Sequence, residues 1–290
     1  MWRDINPIFI RELRGRMRTP RAFWLLVGFL TAVAGTALLV YTAAYFSTNG
    51  QSSGNTSIGN TVFFTLIATA MAVLTIMAPV MAAGGIAGER ERQTFDLLLT
   101  SQLSAGTVVF GKILATLAYC GLLLSAMTPL IAMTFLMGGV DLGELFIMYA
   151  IISASVLLFT CCGIYWSTRA TTSLTAIGFA LATVLGFLFG LPLLAVTIPT
   201  IWAQFLSDTA VLDATANIGL AVHPFIAMYL TDSAVHQQQI WTHVVTIKGF
   251  TLTLPATWIL CIIESWLISI AFVVAAMRRI WPQSMRQSTK

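Results

Sequence analysis

Four groups of residues in this 290-residue chain have types and spacings that could do chemistry. The first is Glu89-Arg90-Glu91-Arg92 with Asp96, which holds five of the 26 charged residues between the apolar runs Thr61–Gly88 and Val108–Gly139. Read as a helix, 88–104 gathers Phe95, Leu98 and Leu99 on one face. Glu89, Gln93, Asp96 and Thr100 form a separate polar stripe, and Leu97 faces neither way cleanly. Such a helix has a greasy side to rest on a bundle and a polar side that something outside a membrane could grip. The second group, Gly106 to Gly111-Lys112, has the spacing of a phosphate-binding loop. The next residue is Ile113, so the metal-holding hydroxyl is missing, and no strand-and-helix nucleotide fold surrounds it. Lys112 is expected instead to snorkel to a membrane interface. The chain shows no ATPase site of its own.

The third group is His223, His236 and His243 in the outer segment; Asp232 and His236 are four apart and His236 and His243 seven apart, so one helical face could hold those three as metal ligands do. The plainer reading is solvated polar residues at a lipid interface, and no metal is expected. The fourth is Glu264, alone deep inside an apolar run, where an ionisable group is costly and a functional candidate. The competing reading is a carboxyl that only packs, hydrogen-bonded to Ser265 or to a Ser or Thr of another helix. Cys120, Cys161, Cys162 and Cys261 all fall inside apolar runs and read as small packing residues. No Ser/His/Asp, Cys/His or paired-carboxylate arrangement shares a membrane depth, which leaves intramembrane hydrolysis without support.

The elements that position these groups are apolar. Hydrophobic residues make up 58% of the chain and charged residues 9%, against about 25% in soluble domains. Six runs reach the ~20 residues needed to cross a bilayer: 22–46, 61–87, 108–138, 142–166, 173–198 and 255–277. Residues 1–20 carry Arg3, Arg11, Arg14, Arg16 and Arg18, with Ile10, Leu13 and Met17 at helical spacing. Asn6 can cap that helix and Pro7 suits its first turn. An interfacial helix is expected there rather than a cleaved signal, because the basic region is long and the following run is span-length. In an alternating six-span layout 14 of the 15 basic residues fall on one side, and only Lys248 on the other. That distribution accounts for the net charge of +4 without nucleic acid, and puts both termini and the 88–104 segment in the cytoplasm. The outer segment 199–254 holds a short apolar run, Ala216–Leu230, interrupted by His223-Pro224 and expected as a re-entrant or interfacial helix. The pairs Gly84/Gly88 and Gly186/Gly190 are candidates for close helix crossings, and Pro129, Pro192 and Pro199 for kinks or ends.

Several of these residues carry a family resemblance. Glu89-Arg90-Glu91-Arg92-Gln93-Thr94, then Leu97-Leu98, Ser101-Gln102-Leu103-Ser104 and Gly111-Lys112, resemble the segment after the second span in ABC-2 type exporter permeases. Gln93 stands where that pattern has Gly, and Gln102 where it has Pro. Asn6-Pro7-Ile8-Phe9-Ile10-Arg11-Glu12-Leu13-Arg14 resembles the family's leading amphipathic helix. The resemblance implies an all-α membrane protein of six transmembrane helices in one domain spanning 1–290. It also implies a cytoplasmic coupling helix at 88–104 and short outer helices before the last span. In function it implies the permease subunit of an ATP-binding-cassette exporter in the inner (plasma) membrane of a prokaryote. Such a subunit has no cofactor of its own, contacts membrane lipids, pairs with a second permease in a homo- or heterodimer, and recruits separate ABC ATPase subunits that bind the ATP. Glu89, Arg90, Glu91, Arg92, Gln93, Thr94, Asp96 and Thr100 would couple to the ATPase, with Arg169 in the 167–173 loop as a smaller contact. Two other readings stay open: a non-transporting scaffold that anchors an ATPase or assembly factor, and a metal-handling membrane enzyme using the outer histidines.

Overall fold

Apolar runs of span length can satisfy their backbone in lipid by closing each N–H on a carbonyl of the same helix. The computed structural model does so throughout, and describes residues 7–47, 55–94, 105–138, 140–202, 219–221, 223–236, 241–247 and 250–287. Helix α1 (Pro7–Met17) opens on a proline and carries Arg14 and Arg16 in its last turn. Both placements suit helix ends. A turn stitched by Thr19 Oγ1 donating to the Arg16 carbonyl (2.8 Å) leads into α2 (Pro20–Ser47). Helix α3 (Asn55–Glu91) runs 37 residues, longer at both ends than the apolar run alone.

The run expected as one span over 108–138 is two helices, α4 (Ala105–Ala126) and α5 (Thr128–Met137), broken at Met127. Pro129 is the cause, since it has no N–H for the turn before it. Asp141 accepts from the Gly143 N–H at 3.0 Å and so caps α6 (Leu142–Arg169). Thr172 caps α7 (Ser173–Leu185). A π-helical turn, Gly186–Gly190, joins α7 to α8 (Leu191–Trp202). Helix α9 (Pro224–His236) follows, and α10 (Thr257–Gln287) closes the chain. Between them lies a hairpin of β1 (Thr242–Ile247) and β2 (Phe250–Pro255), antiparallel, with Thr242 opposite Pro255 and Ile247 opposite Phe250. The outer segment was expected as short helices and a polar stretch. The alternation Phe250-Thr-Leu-Thr-Leu254 has the period of a strand and carries the hairpin.

Among the described residues, six helical stretches are long and apolar enough to cross a membrane: Ala22–Ser47, Ile58–Glu91, Gly106–Met137, Leu142–Arg169, Ser173–Ile198 and Thr257–Ile280. The protein is thus a multi-pass membrane protein. Helix α6 is the most buried crossing and α7–α8 the least. Helices α3 and α10 pack on α6, α2 and α7 pack on α3, and α1 packs on α4. All four cysteines are free and buried among these helices.

Among the crossings, α3 and α6 approach closely at Gly163, as α3 also does to the Gly138 carbonyl after α5 at Gly59. A Cβ added at Gly163 would lie 2.6 Å from the Pro79 carbonyl oxygen and 2.8 Å from Ala82 Cβ. Gly84, Gly186 and Gly190, expected at close crossings, have nothing within 4 Å of such a Cβ; at Gly88 it would meet Ser173 Oγ at 3.3 Å. Gly163 and Gly59, which allow the close contacts, are therefore outside the small-residue pairs the sequence displays. Gly163→Ala should destabilise the protein by about 1–3 kcal/mol through overpacking, while Gly84→Ala should change stability by less than ~0.5 kcal/mol. Thermal unfolding of the two variants in detergent checks this, and equal transitions would contradict the close crossing.

Candidate functional site

The charged run begins inside α3. Glu89, Arg90 and Glu91 form its last turn, because nothing in Gly88-Glu-Arg-Glu91 breaks a helix and Glu and Arg favour one. The helix stops at Gln93, whose φ is +58°. The Gln93 N–H donates to the Arg90 carbonyl (3.0 Å) and the Thr94 N–H to the Glu89 carbonyl (2.9 Å). That interlocked pair around a left-handed residue is a standard helix stop. The 88–104 stretch is therefore not one helix that starts at residue 88. Its first residues end α3, while Asp96, Thr100 and the rest of 95–104 lie outside the described residues.

Glu89 does not present its side chain outward in the expected polar stripe. It turns toward Lys112 on α4, whose side chain is 1% exposed. Lys112 Nζ lies 2.9 Å from Glu89 Oε1 and 3.6 Å from Glu12 Oε1, and donates to the Gly85 carbonyl at 3.2 Å. Arg11 Nη2 reaches the same Glu89 oxygen at 3.5 Å. Arg16 pairs with Glu12 at 3.9 Å and donates to the Met81 carbonyl at 3.3 Å. Burial lowers the Arg16 pKa, and the nearby Glu12 carboxylate opposes that shift. Lys112 thus does not snorkel. It is locked among two carboxylates and a carbonyl, in the second turn of helix α4, where a helix and not a loop surrounds it.

The opposite side of the same helix end grips the 167–173 loop. Ser167 Oγ accepts from the Ile86 and Ala87 N–H groups, each at 2.9 Å. Arg90 Nη1 donates to the carbonyls of Thr168 (3.3 Å) and Ala170 (3.0 Å). Glu91 Oε2 accepts from the Ser173 N–H (3.0 Å) and Oγ–H (2.8 Å), placing a carboxylate at the N-terminus of α7, where the helix dipole favours it. Arg169 is exposed, with its guanidinium 4.7 Å from the Tyr165 ring centroid. Arg92, Gln93 and Thr94 are exposed. The two stretches expected to contact a partner separately are thus bonded to each other through Arg90 and Glu91. A cavity of about 770 Å³ opens beside this end, lined by Glu12, Arg16, Gly85, Glu89, Glu91, Arg92 and Ser173 among others.

Glu12, Arg16, Lys112, Ser167 and Ser173 belong to this site and were missed as site residues in the sequence. Glu12 and Arg16 are four apart on a helix, which is the only local signal that they act together. Glu264 is half-buried in α10, and its Oε2 makes no hydrogen bond among the described residues. The histidines do not share a helical face. His223 precedes α9, His236 ends it, and His243 lies in β1. His223 Nδ1 accepts from the Ile226 N–H at 3.2 Å, and burial lowers its pKa, so the neutral ring serves as a helix cap. A second cavity of about 720 Å³, almost wholly apolar, lies between α4, α6 and α10, with Leu117, Leu157, Trp266 and Val273 in its lining.

The sequence matches a family described as ABC-2 family transporter protein over residues 6–278. No curated protein matches the chain.

Removing the Lys112 cation would leave Glu12 and Glu89 facing one another without their shared counter-charge. Lys112→Met should therefore cost roughly 3–5 kcal/mol, and adding Glu89→Gln should restore part of it. A double-mutant cycle on thermal unfolding measures this coupling. A Lys112→Met protein as stable as wild type would show that the pairs do no structural work.

Proposed function

The chain belongs to the ABC-2 family of transporter proteins, and from that premise we propose that it is the permease subunit of an exporter, driven by ATPase subunits supplied by other chains. It would sit in the inner (plasma) membrane of a prokaryote with both termini in the cytoplasm, paired with a second permease, identical or not. The observation that carries this reading is the bonding of the α3 end. One helical turn holds α1 and α4 through Glu89, the end of α6 through Arg90 and the start of α7 through Glu91. A push delivered there by a closing ATPase would reach four helices through charge-assisted bonds rather than through a floppy loop.

In this reading the residues that touch the ATPase are Arg92, Gln93 and Thr94, which are exposed, with Asp96 and Thr100 beyond them and Arg169 as the smaller contact. Glu89, Arg90 and Glu91 transmit rather than touch, because their side chains are committed within the subunit. The direction of transport rests on the resemblance to exporters. The apolar character of the crossings favours an amphiphilic cargo over a small ion, and Glu264 is a candidate to meet it or a proton.

Charges docked at an interface can be worth ~2–5 kcal/mol when one partner is removed, and each ~1.4 kcal/mol is tenfold in affinity. Arg92→Glu with Asp96→Lys should therefore cut ATPase co-purification and ATP-driven transport in vesicles by at least about tenfold. The fold should survive, since among the described residues the bonds that hold the α3 end come from the Glu89, Arg90 and Glu91 side chains and from backbone groups that a substitution at Arg92 leaves in place. Capture and transport at wild-type levels would sink the coupling role. Orientation is read separately: a cysteine at Gln102 should label only from the cytoplasm and one at Gln238 only from outside. Labelling of both from one side would overturn the topology.

A further inference from the structure

Among the described residues, two polar atoms of the charged network have no hydrogen-bond partner, Nη1 of Arg16 and Oε2 of Glu89. Both residues line the cavity of about 770 Å³ beside the α3 end. That volume falls in the range of small-ligand sites, ~300–1,000 Å³. Unmet groups of this kind in a native protein call for an occupant, because desolvating them without a partner is costly. One atom is a cationic donor and the other an anionic acceptor. The wider lining repeats that division, with Arg16 and Arg92 against Glu12, Glu89 and Glu91. A lone phosphate would face three carboxylates there, and a lone ammonium two guanidiniums. A group that carries both charges a few bonds apart meets both needs.

The depth of the cavity narrows the choice further. Its walls are α1, the helix that precedes the first crossing, the final turns of α3 and the first residue of α7. All three lie where a crossing ends, which is the level of lipid headgroups whichever side of the membrane that is. We propose that this cavity binds a phosphoethanolamine group, its phosphate on Arg16 and Arg92 and its ammonium on Glu89 and Glu91, most directly as the headgroup of phosphatidylethanolamine. The chemistry carries its own selectivity. A trimethylated ammonium has no N–H to give Glu89 Oε2, and a phosphoglycerol headgroup has no positive charge to give it at all. Neither the site nor its test depends on an ATPase or on transport.

The experiment uses the full chain, purified and exchanged into mixed lipids, with bound lipid read by native mass spectrometry. Phosphatidylethanolamine should be retained over phosphatidylcholine and phosphatidylglycerol by about tenfold, the scale of one charge-assisted hydrogen bond. Glu89→Gln should erase the preference over phosphatidylcholine, and Arg16→Gln should lower retention of both, with helical content checked by circular dichroism. The wild-type comparison needs no variant and decides the matter even if a variant misfolds. Soluble phosphoethanolamine, tested by its effect on thermal unfolding, separates the sources: stabilisation by it without lipid preference assigns the same site to a free ligand. Equal retention of the three lipids together with no effect of soluble phosphoethanolamine would overturn the proposal.

Discussion

An ammonium group that is 1% exposed at the end of a membrane-spanning bundle has to find its counter-charge inside the protein. Lys112 finds it on two elements that are distant in sequence, α1 and α3. This requirement explains why α1 packs on α4 instead of floating in the interface, and why Glu89 faces inward from a helix end that could have presented it to solvent. Breaking such a network is costly, yet replacing it wholesale by apolar side chains often is not. Its use is therefore best seen as geometric: three helices can bring Glu12, Glu89 and Lys112 together in one arrangement.

The far side of α3 obeys a different rule. There the bonds are to backbone groups: Ser167 Oγ accepts two helix N–H groups, and Arg90 donates to two carbonyls of the 167–173 stretch. The last carbonyls of α6 need partners in any case, and Arg90 supplies them, so the loop follows wherever α3 goes. Charge on one side and backbone on the other leave the α3 end without slack. Deeper in the bundle Gly163 lets α3 and α6 approach too closely for a side chain.

Composition and run length were enough to read six crossings from the sequence, because a bilayer imposes its thickness on every one of them. The charged run was also legible as a special place. What it does locally was not. A polar stripe at helical spacing suggested an outward face, but Glu89 is turned inward by a lysine 23 residues on, a pairing that no local pattern encodes. The helix stop at Gln93 was hidden because its residue type is one that rarely takes a left-handed conformation. The position where the family pattern has Gly is the one where the backbone needs that freedom. The hairpin of β1 and β2 was hidden for a different reason: its alternation spans few residues and sits in a segment judged by its polarity. The break at Met127 followed from Pro129, whereas the pair Gly84/Gly88 was read by type alone and only Gly88 has a close neighbour.

The π turn at Gly186–Gly190 carries a consequence for how the fifth crossing can be recognised. An α-helix turns its side chains by about 100° per residue, and a π turn fits one extra residue into the ladder. The angular phase of the helix is therefore reset partway along. Ala176, Ala180 and Val184 keep one side of α7 against the bundle, and beyond the reset that side does not simply continue into α8. Phe189, Leu193 and Ile201 stay exposed there. The first half of this crossing is oriented by its own subunit. The second half keeps large apolar side chains uncovered, and its outward face cannot be found by extending the spacing of the first.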